Sequence, residues 1–322
     1  MKKFAVLIDA DNTTPTAIEP VLEEIAKYGI ASVKRIYGDW SIANLQSWRD
    51  KLLPNAITPV QQFAYVKQKD ATDMKLVIDA MDLLYAGDLN GFCIVSSDSD
   101  FTPLASRIRE SGLTVYGFGK NNTVNSFINA CDRFFYIENL LPELKPNFAK
   151  TYSSNSFSQS LLNETKVIEQ DATTLNLIYK AVKECTKDNG WAELGHIGNY
   201  ISTVKPDFDT RSYGYGKLSE LISSLVVFDT KTLDKTIYIK KFSFTKLVNH
   251  IQNILTEQTP ENDWVSVKSV AHFLYQKRQI NDLENYSQAD ILQKIDAINV
   301  SLLEFNTNRT KIRLSTQDSK PE

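Results

Sequence analysis

The hydrophobic pattern divides this chain into parts of different rhythm. From Lys3 to about Ile137, short runs of β-branched and aromatic residues (Phe4 to Ile8, Ala31 to Tyr37, Ile57 to Phe63, Phe92 to Val95, Thr114 to Phe118, Phe134 to Ile137) alternate with other stretches. In those stretches, Thr16 to Tyr28, Thr72 to Tyr85 and Phe101 to Ser111, apolar positions recur every three or four residues. The runs predict strands and the stretches predict helices. Their alternation predicts an α/β domain over residues 1–145 with a mainly parallel sheet. FAVLI and FCIV are apolar without a break, as strands covered on both faces must be. Ligands of such sheets bind beyond the carboxyl ends of the strands. Asp9 directly follows the first run and Asp98 the fourth, so both are expected at that edge.

Residues 146–170 lose the periodicity and gain Ser, Asn, Thr and Gln, the composition of a solvated linker. Beyond it the pattern becomes helices with short turns, ending in IYIKKF and later in KIRLS. This half repeats itself at the separation of Trp191 from Trp264, without gaps: Asn189 meets Asn262, Tyr213 meets Tyr286, Ile222 meets Ile295, Val227 meets Val300 and Ile239 meets Ile312. Two small α+β domains, 171–243 and 244–316, each closed by a β-ribbon, are expected. Both tryptophans are expected in their cores.

Composition changes this picture little. The 322 residues with 42% hydrophobic content suit two or three globular domains. A formal net charge of -3 excludes a global basic field, so any nucleic-acid contact must be a local patch. Cys93, Cys131 and Cys185 are far apart in sequence, without zinc spacing, and point to a reducing cytoplasm. The apolar run from Phe4 meets Asp9 too soon for a secretory leader. No stretch approaches the roughly 18 apolar residues that span a membrane, so no membrane partner is expected.

The chemistry is carried by carboxylates. SSDSDF at 96–101 follows a strand and precedes a helix, and DADNTT at 9–14 does the same. Helix capping explains one such residue in each cluster, not two aspartates in both. Thr72 and Asp73 open a third helix, where a lone aspartate is ordinarily just favourable with the helix dipole. Several carboxylates at one pocket raise one another's pKa unless a cation neutralises them. Hard divalent cations with oxygen ligands are the natural partner, and metal-assisted phosphodiester hydrolysis is the chemistry this favours. His196, His250 and His272 all lie in the second half, which disfavours zinc or a histidine base in the first.

As a set, LIDADNT, KQKDATDMKLVIDAM and VSSDSDFTPLA resemble the NYN branch of the PIN-like nucleases, specifically the bacterial LabA-like group, over residues 1 to about 140. The resemblance implies a Mg2+- or Mn2+-dependent ribonuclease in which Asp9, Asp73, Asp98 and Asp100 ligate the metal. It places Asn12 and Ser97 in the pocket, and Asp11 and Thr72 behind the ligands. A rival is the DxDxT opening of haloacid-dehalogenase-type phosphatases, matched by Asp9, Asp11 and Thr13. Against it, a regular helix follows at once, where those enzymes insert a cap.

The segment from Phe208 through Tyr213, Gly214, Tyr215, Gly216, Lys217 and Leu218 resembles the OST-HTH, or LOTUS, winged-helix domain, which implies RNA as partner, or in some members a protein. Glycines around Tyr215 free backbone amides for a phosphate. Lys205, Arg211 and Lys217 supply cations, and Tyr213 or Tyr215 a stacking surface. Equally, Tyr213 is a packing residue and the lysines merely solvated. The second copy replaces GYGKL with SQADI, which puts packing or homodimer formation there on an equal footing with a phosphate contact. The expectation is thus a ribonuclease with an RNA-targeting LOTUS domain and a diverged winged-helix copy. The alternative is a catalytically silent RNA-binding adaptor.

Overall fold

The computed structural model describes residues 1–41, 43–62, 71–141, 172–258, 263–277, 283, 286–299 and 302–315. The expected linker, 146–170, lies outside these residues, as do the first four positions of the KQKDATDM segment. The chain divides into two compact units, Met1–Cys185 with Glu193–Leu221, and Thr186–Ala192 with Ile222–Glu322.

The first unit contains β1 (Lys3–Asp9), α1 (Ile18–Ala26), β2 (Ile30–Gly38), α2 (Arg49–Leu52), β3 (Thr58–Gln61), α3 (Ala71–Ala86) and β4 (Gly91–Val95). It continues with α4 (Thr102–Glu110), β5 (Thr114–Gly119), α5 (Asn125–Ala130), β6 (Arg133–Tyr136), α6 (Ala172–Cys185), α7 (Leu194–Val204) and the start of α8 (Leu218–Ser224). All six strands pair in parallel, in the order β3-β2-β1-β4-β5-β6. The order reverses direction between β1 and β4, a topological switch point.

The unbroken apolar strands are explained by two-sided burial. Phe4, Val6 and Ile8 face Ile18, Val21 and Ile25 of α1 together with Trp48. Ala5 and Leu7 face the other way, against Leu76, Ala80 and Leu84 of α3 and Leu104 and Ile108 of α4. Each such Val, Leu, Ile or Phe side chain contributes roughly 1.5–3 kcal/mol by leaving water. Gly91 is required where β1, β4 and β5 begin, because a Cβ there would meet the Thr114 carbonyl at 2.3 Å and the Phe4 ring at 2.8 Å. The helix predicted from Thr16 starts as a 3-10 turn, Pro15–Ala17, before α1. Proline suits that first turn, having no N–H to leave unpaired.

Edge strand β6 is covered by the turn after α7. The Phe134 amide donates to the Pro206 carbonyl (3.0 Å), the Tyr136 hydroxyl to Asp207 (2.7 Å) and the Asn139 side chain to Ser212 (2.8 Å). A covered edge offers no template for another strand.

In the second half, the β-ribbon β8 (Phe228–Leu233) and β9 (Thr236–Lys241) forms a sheet β7-β9-β8 with β7 (Ala192–Glu193). After α9 (Phe244–Gln258), β10 (Val265–Ser266), α10 (Val267–Gln276) and α11 (Gln288–Asp296), the strands β11 (Leu303–Phe305) and β12 (Lys311–Leu314) form β10-β12-β11. The two sheets share one topology, and β7 and β10 occupy equivalent places in the repeat. The tryptophans depart from expectation. Trp191 is half-buried beneath Lys231, whose ammonium lies 4.2 Å from the ring centroid. Trp264 is 38% exposed, with the Arg313 guanidinium at 4.6 Å. Each ring is thus a platform for a ribbon cation, which a hydrophobic repeat alone does not reveal. Lys294 is buried and donates to the Val226 carbonyl (3.0 Å) and Asp229 (3.1 Å), in whose carboxylate Tyr286 also ends.

Candidate functional site

β1 ends on Asp9, and its neighbour β4 ends on Val95, level with Ile8, so Asp9 and Ser96 emerge side by side at the switch point. Asp9 is only 1% exposed. Its Oδ1 accepts from the amides of Asp11 (3.0 Å) and Asn12 (3.3 Å). Its Oδ2 accepts from the Asn12 side chain (2.8 Å) and the Ser96 hydroxyl (2.7 Å). A buried carboxylate needs such donors, and here the DADN turn and the end of β4 supply them. Thr13 closes the same junction by donating to the Val95 carbonyl (3.1 Å).

Ser96 also accepts from the Asp98 amide (3.0 Å), so one hydroxyl joins the two acidic turns. Asp98, half-buried, caps the 3-10 turn Ser99–Phe101 by accepting from the Asp100 amide (2.9 Å). Capping therefore accounts for part of its role. Asp100 itself is exposed. Ser97 accepts from the Lys120 amide (2.8 Å), tying the end of β4 to the end of β5. Gly119, at that second end, is confined: a Cβ would meet the Ser96 carbonyl and the Phe134 ring, each at 2.8 Å, and Thr123 Oγ1 at 2.7 Å.

Asp11 is exposed, yet its carboxyl is held above the ordinary range, first by desolvation and then by the negative charges of Asp9 and Asp39. Asp39 was not among the expected residues. It follows β2, and its Oδ1 accepts from the Ser41 hydroxyl (2.6 Å) and the Gln61 amide (2.9 Å). Its signal in the sequence is YGDW, a strand run ending in aspartate as LIDAD does.

Thr72 and Asp73 lie, half-buried, in the first turn of α3. That helix leads from β3 to the parallel strand β4, so it must begin at the carboxyl edge where Asp9 stands. Further along it, Asp79 receives both Arg35 and the Tyr37 hydroxyl from β2. The structure therefore joins Asp9, Asn12, Ser96 and Asp98 directly, brings Asp11 into their electrostatic reach, and sets Asp73 on a separate helix. Among the described residues no three His, Cys, Asp or Glu side chains are grouped closely enough to hold a metal ion together. In kind, the donors at this edge are oxygens, which suits a hard divalent cation.

Of the residues expected to meet RNA, Lys217 is exposed, and Lys205 and Tyr215 are half-buried. Arg211 is engaged by Asp209 (2.6 Å) and by the buried Glu24 of α1 (2.9 Å). The Tyr213 hydroxyl is hydrogen-bonded to Thr174 (2.6 Å). Among the described residues no helix is long and apolar enough to cross a membrane.

Comparisons with known proteins give family matches and similar solved structures. A crystal structure of a protein of unknown function from Vibrio parahaemolyticus is similar, at 19% identity over 41% of this chain and 91% of that one, with a TM-score of 0.35. No match is found among the curated proteins. Residues 3–138 match the family model of the NYN domain, and residues 159–237 that of the OST-HTH/LOTUS domain. The first match contains the six-stranded sheet and the acidic edge, including the DADNT turn that the phosphatase reading used. This chain therefore carries an NYN domain, with its PIN-like α/β fold, followed by an OST-HTH/LOTUS domain.

Proposed function

We propose that this chain is a Mg2+- or Mn2+-dependent ribonuclease that hydrolyses RNA phosphodiester bonds, guided to RNA by its OST-HTH/LOTUS domain. The observation that carries the reading is the Ser96 bridge between Asp9 and Asp98 at the switch point of an NYN sheet. Asp9, Asp73, Asp98 and Asp100 are the residues that would hold the cation. A divalent ion held by these carboxylates would supply the Lewis acidity that phosphodiester hydrolysis needs. Asn12 and Ser96 orient the Asp9 carboxylate, and Ser97 fixes the loop beside it. Asp11 and Thr72 support these positions. Lys205, Tyr215 and Lys217 are the side chains left for RNA, since Arg211 and Tyr213 are engaged within the fold.

One observation favours a second reading. Asp9 accepts four hydrogen bonds from Asp11, Asn12 and Ser96, as a carboxylate with a structural role does. That is the catalytically silent RNA-binding adaptor. Incubation with structured and single-stranded RNA in Mn2+, comparing wild type with Asp98→Asn, separates the two. The ribonuclease reading expects cleavage by the wild type alone. Equal RNA binding with no cleavage by either protein establishes the adaptor.

A further inference from the structure

Away from the acidic edge, beside the start of β6, the first unit holds a cavity of about 510 Å³ whose walls include Lys27, Tyr28, Arg133, Asn199, Arg211 and Lys217. An adjoining hollow of about 390 Å³ shares Arg133, Asn199, Ser202 and Pro206 with it. The two make one groove running past Arg133. The larger cavity alone has the volume of a small-molecule site, but its continuation suits a chain better than a compact ligand.

The charges of this groove do not cancel. Four cations, Lys27, Arg133, Arg211 and Lys217, line the larger cavity against two carboxylates, Glu24 and Asp209. Glu24 is 4% exposed and takes Lys27 (2.7 Å) and Arg211 (2.9 Å), while Asp209 takes Arg211 through two nitrogens. Both acids are thereby matched. Arg133 and Lys217 remain, and among the described residues neither forms an ion pair with a carboxylate.

Arg133 is also held in place. Its Nη1 donates to the Tyr28 hydroxyl (3.1 Å), and its guanidinium lies 5.4 Å from the centroids of both Tyr28 and Phe135. Guanidinium carries five N–H donors, so most of its fork is left for an acceptor. A planar, ordered fork with an unmatched charge is the arrangement that suits a phosphate.

We infer that this groove binds the phosphate backbone of an RNA strand, with Arg133 as its anchor and Lys217 as its second cation. The inference rests on the reading that the chain acts on RNA, and adds a contact from the NYN domain itself. Arg133 lies level with Val6, three strands and three residues from Asp9. Strand spacings put that separation on the order of 17 Å, within reach of a short oligonucleotide.

The test is fluorescence anisotropy on the full chain bearing Asp98→Asn, with labelled single-stranded RNA of several sequences titrated from about 50 to 200 mM salt. Adding Arg133→Gln weakens binding roughly tenfold. Adding Lys217→Gln weakens it less, and each lowers the log–log salt slope by about 1, equally for every sequence. Lys217 is exposed, so its variant keeps the test valid if Arg133→Gln melts early. Unchanged affinity and slope in both variants overturn the inference. Competition by micromolar uridine monophosphate or inorganic phosphate, lost in Arg133→Gln, also overturns it, because the groove then serves a small anion. If the parent binds no RNA at all, the reading it rests on has failed with it.

Discussion

The Ser96 hydroxyl donates a 2.7 Å hydrogen bond to Asp9 Oδ2 across 87 positions of sequence, and accepts the Asp98 amide in the same stroke. This bond converts two separate acidic turns into one edge. Ser96→Ala leaves a buried carboxylate oxygen one donor short, at a cost of about 1–3 kcal/mol. The expected outcome is a melting temperature lower by several degrees and RNA cleavage reduced at least tenfold. Cleavage at the wild-type rate would remove Ser96 from the proposed site.

Gly119→Ala acts on the same bond from behind. The added methyl meets the Ser96 carbonyl and the Phe134 ring at 2.8 Å, distances that require movement. Overpacking of this kind costs roughly 1–3 kcal/mol. Urea unfolding should show the loss, and cleavage should fall with it. A variant as stable and active as the wild type would show that the end of β5 yields freely.

Divalent cations should stabilise the NYN domain. A ligand at about 100 times its Kd adds roughly 2.7 kcal/mol to the folded state. Thermal melts with added Mn2+ are therefore expected to shift upward in the wild type. The shift should shrink in Asp9→Asn and Asp98→Asn, and in Asp73→Asn if α3 contributes. Equal shifts in all four proteins would assign the ion to another place.

Acid should loosen the first unit through Glu24 and Asp79. Burial raises the Glu24 carboxyl, but Lys27 and Arg211 outweigh it and leave the pKa below its ordinary 4.5. Burial likewise opposes Tyr37 and Arg35 at Asp79, whose pKa ends below 3.8. A carboxyl lowered on folding gives stability that is present above its unfolded pKa and lost as pH falls through the folded one. Urea midpoints should thus decline below about pH 5, and Glu24→Gln should flatten that decline. Superimposable pH profiles for variant and wild type would rule out the Glu24 pair as the cause.

The pattern of apolar residues was enough to place the six strands, the two-sided burial of β1 and β4, and α1, α3 and α4 between the strands, because each is a local consequence of period and turn chemistry; the short helices α2 and α5 carry too few periodic positions to show in it. β2 and β3 appear within a few residues of their expected ends, and both acidic turns follow their strands as predicted. The family motifs identified both domains. Asp39 was legible in principle, since YGDW repeats the strand-then-aspartate signature, but its meaning depends on Asp11 standing near.

What only the tertiary structure decided is which distant groups share a partner. Asp9 meets Ser96 because β1 lies beside β4 and not only beside β2, a strand order that no local period encodes. Arg211 looks like a cation for RNA until Glu24, 187 positions away, takes it; Arg133 looks ordinary until every carboxylate around it is matched. Hydrophobic periodicity determines which face of an element is buried. Hydrogen bonds and ion pairs between elements depend on the order in which those faces pack, and so belong to the folded chain.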